Sequence, residues 1–405
     1  MVLLVTAGVA AYGIALLMVP IGRDELILFS SVAHAPHPFG YFVGDWGLGN
    51  HGYRPLFSAT LWLAFQLFGV WALPYQLLSL GLHIVVIALL FELISHVARH
   101  DGPALRLLLA LVALVSPYTV SGASWIADRP TLMVALSLLL LIRHLYVGGA
   151  RPRPWILGGL SAIAVLSKES GLVVPALVVV YGWVARRPPV TSLGIAVIAS
   201  YAGLRVALFG AAAASYPESG ALLGIWEYQN SSMLTTRQFV ITLVEHPVKH
   251  LLATILPVFD NDGLLLMTGD RLRAQATFWM PTIALAAVAG WRPSRAQKLA
   301  LVVIILNAVV HFAVFRFRTL YLSHLAFVVY VAASPALATP SRRRIATALA
   351  VALLLANALS VERQLVENVW GSYDNLGAPS GRDYVTGEPL IDPGIVRAVE
   401  RMYTK

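Results

Sequence analysis

The stretch from Pro74 to Ser95, PYQLLSLGLHIVVIALLFELIS, decides the fold class. It is 22 residues long with Glu92 as its one acid or base besides His83. As a helix rising 1.5 Å per residue it would reach about 33 Å, against about 30 Å for the hydrocarbon core of a bilayer. Ten further apolar runs lie outward from it, at roughly 1–20, 103–118, 130–146, 154–167, 170–185, 190–209, 275–291, 297–314, 319–337 and 345–361. Over all 405 residues 58% are apolar and 12% charged, with a mean hydropathy of +0.74. A soluble surface needs roughly a quarter of its residues charged. The sequence therefore predicts an all-α, polytopic integral membrane protein of about 11 transmembrane helices. Soluble enzymes, secreted disulfide scaffolds and disordered chains are excluded. There is no cysteine, so any chemistry falls to carboxylates, His, hydroxyls and the Arg/Lys set.

The first run lacks a basic leader, and Val19-Pro-Ile-Gly22 is a poor cleavage site, so it is read as a helix rather than a signal peptide. The run Pro55 to Val70 is apolar enough to span. Counting it as a span, however, puts the basic turn near Arg99 and every later one on the wrong side. It is therefore placed as an interfacial helix opened by Pro55, within a first outer loop of 21–73. The same parity makes 211–274 one long outer loop with interfacial helices. Its segment Phe239 to Phe259 is interrupted by Glu245, His246, Pro247 and Lys249, which suits an interfacial or re-entrant piece. Apolar helices return over 275–361. Residues 362–405 form a polar extracytoplasmic tail with one amphipathic stretch near Ile395 to Met402.

Charge fixes the expected orientation. With the N-terminus cytoplasmic, the inner turns carry 13 basic residues, Arg143, Arg295 and Arg344 among them, against the two acids Glu92 and Asp101. The outer side holds the other 16 basic and 18 acidic residues. This positive-inside bias accounts for the net charge of +9 without any nucleic-acid partner. It also directs the search for a polar site to the outer face, where acids and bases mix.

Four groups stand out there. Asp24-Glu25 follows the first helix and Asp45 lies in the same loop. Such carboxylates either mark the interface or supply a general base and a second acid that orients it. Arg54, after Tyr53 and before Pro55, sits at a helix N-terminus, where guanidinium and free N–H groups favour a phosphate. Lys168-Glu169 joins two apolar runs with almost no loop, so it is expected to hold an ion pair at membrane depth. Asp128-Arg129 before the 130–146 run is a second such pair. Arg316 and Arg318, in Arg316-Phe-Arg-Thr-Leu-Tyr321, place positive charge at an outer turn against the orientation rule. Arg54, Arg129, Lys168, Arg316 and Arg318 thus put up to five cations on one face near carboxylates, an arrangement that would suit a lipid-linked phosphate. His83, deep in the second span, suits helix packing. His34, His37 and His51 lack metal-ligand spacing, and whether the carboxylates hold Mg²⁺ or Mn²⁺ stays open. No P-loop, dinucleotide fingerprint or nucleophile elbow is present.

In this order these motifs resemble the GT-C glycosyltransferases. The likeness is closest to the membrane portion of the transmembrane and tetratricopeptide-repeat O-mannosyltransferases and their bacterial relatives. The acidic pair after the first helix matches Asp24-Glu25, and the acid-aromatic-Trp-Gly loop is similar to Gly44-Asp-Trp-Gly with one aromatic fewer. Tyr53-Arg-Pro-Leu56, Lys168-Glu169 and Arg318-Thr-Leu-Tyr321 are intact. The family's His and Asn fall on Gln76 and Ser79, the Gly-Arg-Ala-acid turn reads Asp128-Arg-Pro-Thr131, and no tetratricopeptide repeats follow. The resemblance implies a module over 1–210 that transfers a sugar on the outer face, usually with inversion, from a polyprenyl-phosphate-linked donor to a hydroxyl of a protein, lipid or glycan acceptor. Asp24, Glu25 and Asp45 would be catalytic, with Tyr53, His83, Glu169 and Tyr321 supporting. A lipid-linked-sugar transporter or flippase, and a GT-C ligase or polymerase, are the alternatives.

Overall fold

Prolines set many of the helix starts, because a first-turn residue has no use for its N–H and proline's fixed φ already suits the helix. In the computed structural model, residues 2–18, 23–45, 52–98, 102–147, 152–209, 236–255, 276–290, 293–311, 317–376 and 391–403 are described. Their helices are α1 (Val2–Met18), α2 (Arg23–His34), α3 (Pro55–Phe68), α4 (Ala72–Val97), α5 (Pro103–Leu114), α6 (Val120–Ser124), α7 (Arg129–Ile142), α8 (Pro154–Ser167), α9 (Val173–Val184) and α10 (Pro188–Phe209). They continue as α11 (Thr236–Ile255), α12 (Ala276–Ala289), α13 (Arg295–Val310), α14 (Tyr321–Ala332), α15 (Pro340–Leu376) and α16 (Pro393–Tyr403). Proline stands at or next to the start of α3, α5, α7, α8, α10, α15 and α16. Gly69 and Gly290, both at positive φ, follow α3 and α12. No strand occurs among the described residues.

A helix lies at each of the eleven positions expected from the apolar runs, and α3 lies where the interfacial helix was placed. By length and composition, Ala72–Val97, Ile126–Val147, Pro188–Phe209 and Pro340–Glu362 can cross a membrane. Others, such as Pro103–Leu114 and Tyr321–Ala332, are apolar but shorter, and at 1.5 Å per residue a 12-residue helix is only about 18 Å long. The chain is thus a membrane-embedded helical protein. Of the segment 211–274, expected as a long outer loop, only α11 is among the described residues, and it runs unbroken through Pro247. The tail differs from expectation at its start, because α15 continues as helix to Leu376.

Small residues let backbones approach where helices cross. A Cβ on Gly194 of α10 would come within 2.8 Å of the Pro175 carbonyl on α9, so only glycine permits that crossing. The main core draws on Leu90 of α4, Leu109 of α5, Leu138 of α7, Val303 of α13, Leu325 of α14 and Leu353 of α15. A second apolar layer, built from Phe29 of α2, Phe57 and Leu61 of α3, and Ile395 and Val399 of α16, covers Tyr75 and Ile126. The amphipathic stretch of the tail is therefore docked on α2, in the layer that α2 shares with α3. The Asp392 amide donates to Ser30 Oγ at 2.9 Å, and His34 Nε2 lies 3.3 Å from Asp392 Oδ2.

The consecutive pairs α7–α8 and α13–α14 are antiparallel, whereas α4, α7 and α14 run in the same direction. The start of α7 and the end of α8 meet at one end of the bundle, joined by Lys168 to Asp128. The ends of α4, α7 and α14 and the start of α13 surround a cavity at the other end.

Candidate functional site

The site is organised by one tight turn. α8 ends at Ser167, Lys168 is extended, and a 3-10 turn, Glu169–Leu172, leads into α9. A Cβ on Gly171 would collide with the Ala164 carbonyl, so glycine is what lets the turn fold back onto α8. Lys168 and Glu169 do not pair with each other as their adjacency suggested. Lys168 Nζ donates to Asp128 Oδ1 at 2.8 Å and to Thr131 Oγ1 at 2.7 Å. Glu169 accepts from Arg54 Nε at 3.0 Å and from the Tyr53 amide at 3.2 Å. The two residues of one turn thus grip the starts of two different helices, α7 and α3.

Asp128-Arg129 likewise divides rather than pairs. Asp128 accepts from Lys168, from Ser121 Oγ at 2.8 Å and from Thr131 Oγ1 at 2.7 Å. Arg129 is fully buried, with Nε donating to Ser79 Oγ at 3.1 Å, Nη2 donating to the Tyr75 carbonyl at 3.0 Å, and its guanidinium carbon 5.8 Å from the Tyr75 ring centre. The carboxylate acting on it electrostatically is Glu25. Three dipeptides, Lys168-Glu169, Asp128-Arg129 and Asp24-Glu25, together with Arg54, form a chain of alternating charge in which each buried cation faces an anion from another element. Replacing one partner of such a buried pair leaves a charge uncompensated, at a cost of about 3–5 kcal/mol.

The two first-turn acids of α2 suit the positive end of its dipole. Glu25 is fully buried and accepts from the Ala127 amide at 3.3 Å, whereas Asp24 is half-buried. Asp45 stands elsewhere in the loop, beside Tyr41. Burial pushes the Tyr41 hydroxyl above its ordinary range, the Ser31 hydroxyl 3.3 Å away works against this, and the charge of Asp45 adds to the rise. Tyr53 donates from its hydroxyl to the Phe42 carbonyl at 3.0 Å, tying the loop to the start of α3. His83 and Tyr321 come together. His83 Nε2–H donates to the Leu114 carbonyl at 2.9 Å, which leaves Nδ1 to accept from the Tyr321 hydroxyl at 2.8 Å, a packed and satisfied histidine. Arg316 lies outside the described residues. Arg318 is described only as backbone, in the 3-10 turn Phe317–Leu320 that opens α14. His51 also lies outside them, and among the described residues no group of three or more His, Asp or Glu side chains could hold a metal.

Several residues at this end were not singled out in the sequence. Tyr201 and Arg205 of α10 are buried, with the Tyr201 ring 6.1 Å from that of Tyr53 and its hydroxyl under the influence of Glu169, Arg205 and Arg54. His250 of α11 and His311, just after α13, stack with ring centres 5.3 Å apart. His311 feels the charges of Lys168 and Asp128, and His250 Nε2 lies 3.2 Å from Thr319 Oγ1. A lone Arg within the apolar run 190–209 was the available signal for Arg205. Gln76 is buried with neither amide atom hydrogen-bonded among the described residues, and Arg129 Nη1 is in the same condition. Tyr75 and Ser79, the partners of Arg129, flank Gln76 on α4, so these polar atoms share one region. Buried polar atoms of this kind call for a water or a polar ligand.

Compared with known proteins, the chain matches no family model and no curated protein.

Proposed function

We propose that this protein is a membrane glycosyltransferase of the GT-C kind, moving a sugar, with mannose the first candidate, from a polyprenyl-phosphate-linked donor to an acceptor hydroxyl. The observation that carries this reading is the buried chain of alternating charges, Arg54–Glu169, Lys168–Asp128 and Arg129–Glu25, with half-buried Asp24 at its edge, set at one end of an apolar helical bundle. In this reading eleven helices span the membrane, the N-terminus is cytoplasmic, and the charged end faces the extracytoplasmic side.

The acceptor oxygen attacks the anomeric carbon while the bond from that carbon to the phosphate oxygen breaks. The electron pair leaves on the polyprenyl phosphate, the acceptor's proton passes to the Asp24 carboxylate, and the anomeric centre inverts. Arg54 and Lys168, held in place by Glu169 and Asp128, stabilise the charge that develops on the leaving phosphate. In this reading the segment that carries Arg316 and Arg318 would add cations for the same phosphate. Gln76 and Arg129 offer hydrogen bonds to sugar hydroxyls, and Asp45 helps orient the acceptor.

The test uses purified protein in lipid nanodiscs, supplied separately with polyprenyl-phosphate mannose, glucose and galactose and a membrane extract as acceptor source. Release of free polyprenyl phosphate coupled to sugar incorporation is expected with one donor and is lost in Asp24→Asn. Uptake of the intact donor across a proteoliposome membrane, with no bond cleaved, would overturn the transferase reading in favour of a transporter.

A further inference from the structure

A cavity of about 510 Å³ lies at the end of the bundle opposite the buried charges, between the ends of α4, α7 and α14 and the start of α13. Ligand pockets typically span about 300–1,000 Å³. Its walls are apolar, with Leu138, Leu299, Leu325 and Ala326 lining its length. Its polar residues include Arg295, the first residue of α13, and His96, in the last turn of α4, both exposed. Lys298, also exposed, stands one turn further along α13. The nearest acid on α4, Glu92, accepts from Arg143 Nε at 2.8 Å, so its charge is offset. The rim is therefore cationic and the interior apolar.

We propose that this cavity binds one anionic glycerophospholipid from the leaflet facing this end, with an acyl chain in the apolar slot and the phosphate at Arg295 and His96. Two features select this occupant. An apolar molecule without charge would gain nothing from the cationic rim, and a zwitterionic lipid would bring its own cation to it. The basic turns between helices at this end also draw anionic headgroups, each Lys or Arg near the surface contributing about 1 kcal/mol. The proposal does not rest on the glycosyl-transfer reading, because it concerns the other end of the molecule.

Native mass spectrometry of the intact protein, loaded from vesicles of phosphatidylglycerol or of phosphatidylcholine, tests it. One phosphatidylglycerol per chain is expected to survive release in preference to phosphatidylcholine. Arg295→Gln, at an exposed position, should lower phosphatidylglycerol retention about fivefold with the melting temperature unchanged. Ala326→Trp, which fills the slot, should abolish retention of the specific lipid. Equal retention of the two lipids by the parent, or an Arg295→Gln protein that keeps phosphatidylglycerol at the parent level, would overturn the proposal. So would a folded Ala326→Trp protein that keeps it.

Discussion

Neutralising Glu169 separates structure from chemistry at the Arg54–Glu169 pair. Both side chains are less than a tenth exposed, and Glu169 takes two donors, Arg54 Nε and the Tyr53 amide. Glu169→Gln keeps an oxygen for the Tyr53 amide but leaves the Arg54 guanidinium buried without its carboxylate, at a cost of about 3–5 kcal/mol. Glu169→Ala removes the amide's acceptor as well, adding about 1–3 kcal/mol. Arg54→Met alone strands the carboxylate and costs about as much as Glu169→Gln. The double replacement Arg54→Met with Glu169→Met removes both charges, and buried pairs exchanged for apolar residues of similar volume are often neutral or stabilising by about 1–4 kcal/mol. Thermal unfolding in detergent, followed by the fluorescence of the ten tryptophans, should rank Glu169→Ala below Glu169→Gln and return the double variant close to the parent. Donor binding should stay lost in the double variant, because a cation for the phosphate is gone. Single variants that melt with the parent, or a double variant whose loss equals the sum of the singles, would refute the reasoning that these two groups compensate each other in a dry site.

Asp24→Asn should lower sugar transfer about 10²- to 10⁴-fold with donor binding retained, whereas Glu25→Gln, which strands Arg129, should first show as a lower melting temperature. Transfer at the parent rate by Asp24→Asn would remove it as the base. A reporter fused after Arg344 should read cytoplasmic and one fused after residue 405 extracytoplasmic; the same side for both would break the eleven-span count. Gly171→Ala should yield little folded protein, since the added methyl meets the Ala164 backbone. Recovery of folded Gly171→Ala in normal amounts would show that the turn can relax.

The helices were legible because an apolar run long enough to cross a bilayer leaves few other structures open to it, and because Pro55, Pro103 and Pro154 announce where helices begin. Partnership was not legible. Lys168 and Glu169 are neighbours in sequence and read as a pair, yet the turn at Gly171 sends them to Asp128 and Arg54, 40 and 115 residues away. Nothing local specifies such distances. Successive helical residues step by about 100° around the axis, and Asp24 and Glu25 accordingly have different surroundings, one half-buried and the other sealed against Ala127. Arg205 and His311 went unnoticed because each is a single ionisable residue with no motif around it.

The docking of α16 on α2 has a consequence for biosynthesis. Asp392 is joined to Ser30 across 362 positions of the chain. At about 5–20 residues per second the ribosome needs about 20–70 seconds to make that intervening length. For most of that interval Phe29, Phe57 and Leu61 wait without Ile395 and Val399, which complete their apolar layer. The first loop is thus made early and closed late, and a nascent chain halted before residue 391 would display an apolar face that a membrane chaperone, or a second unfinished chain, could seize.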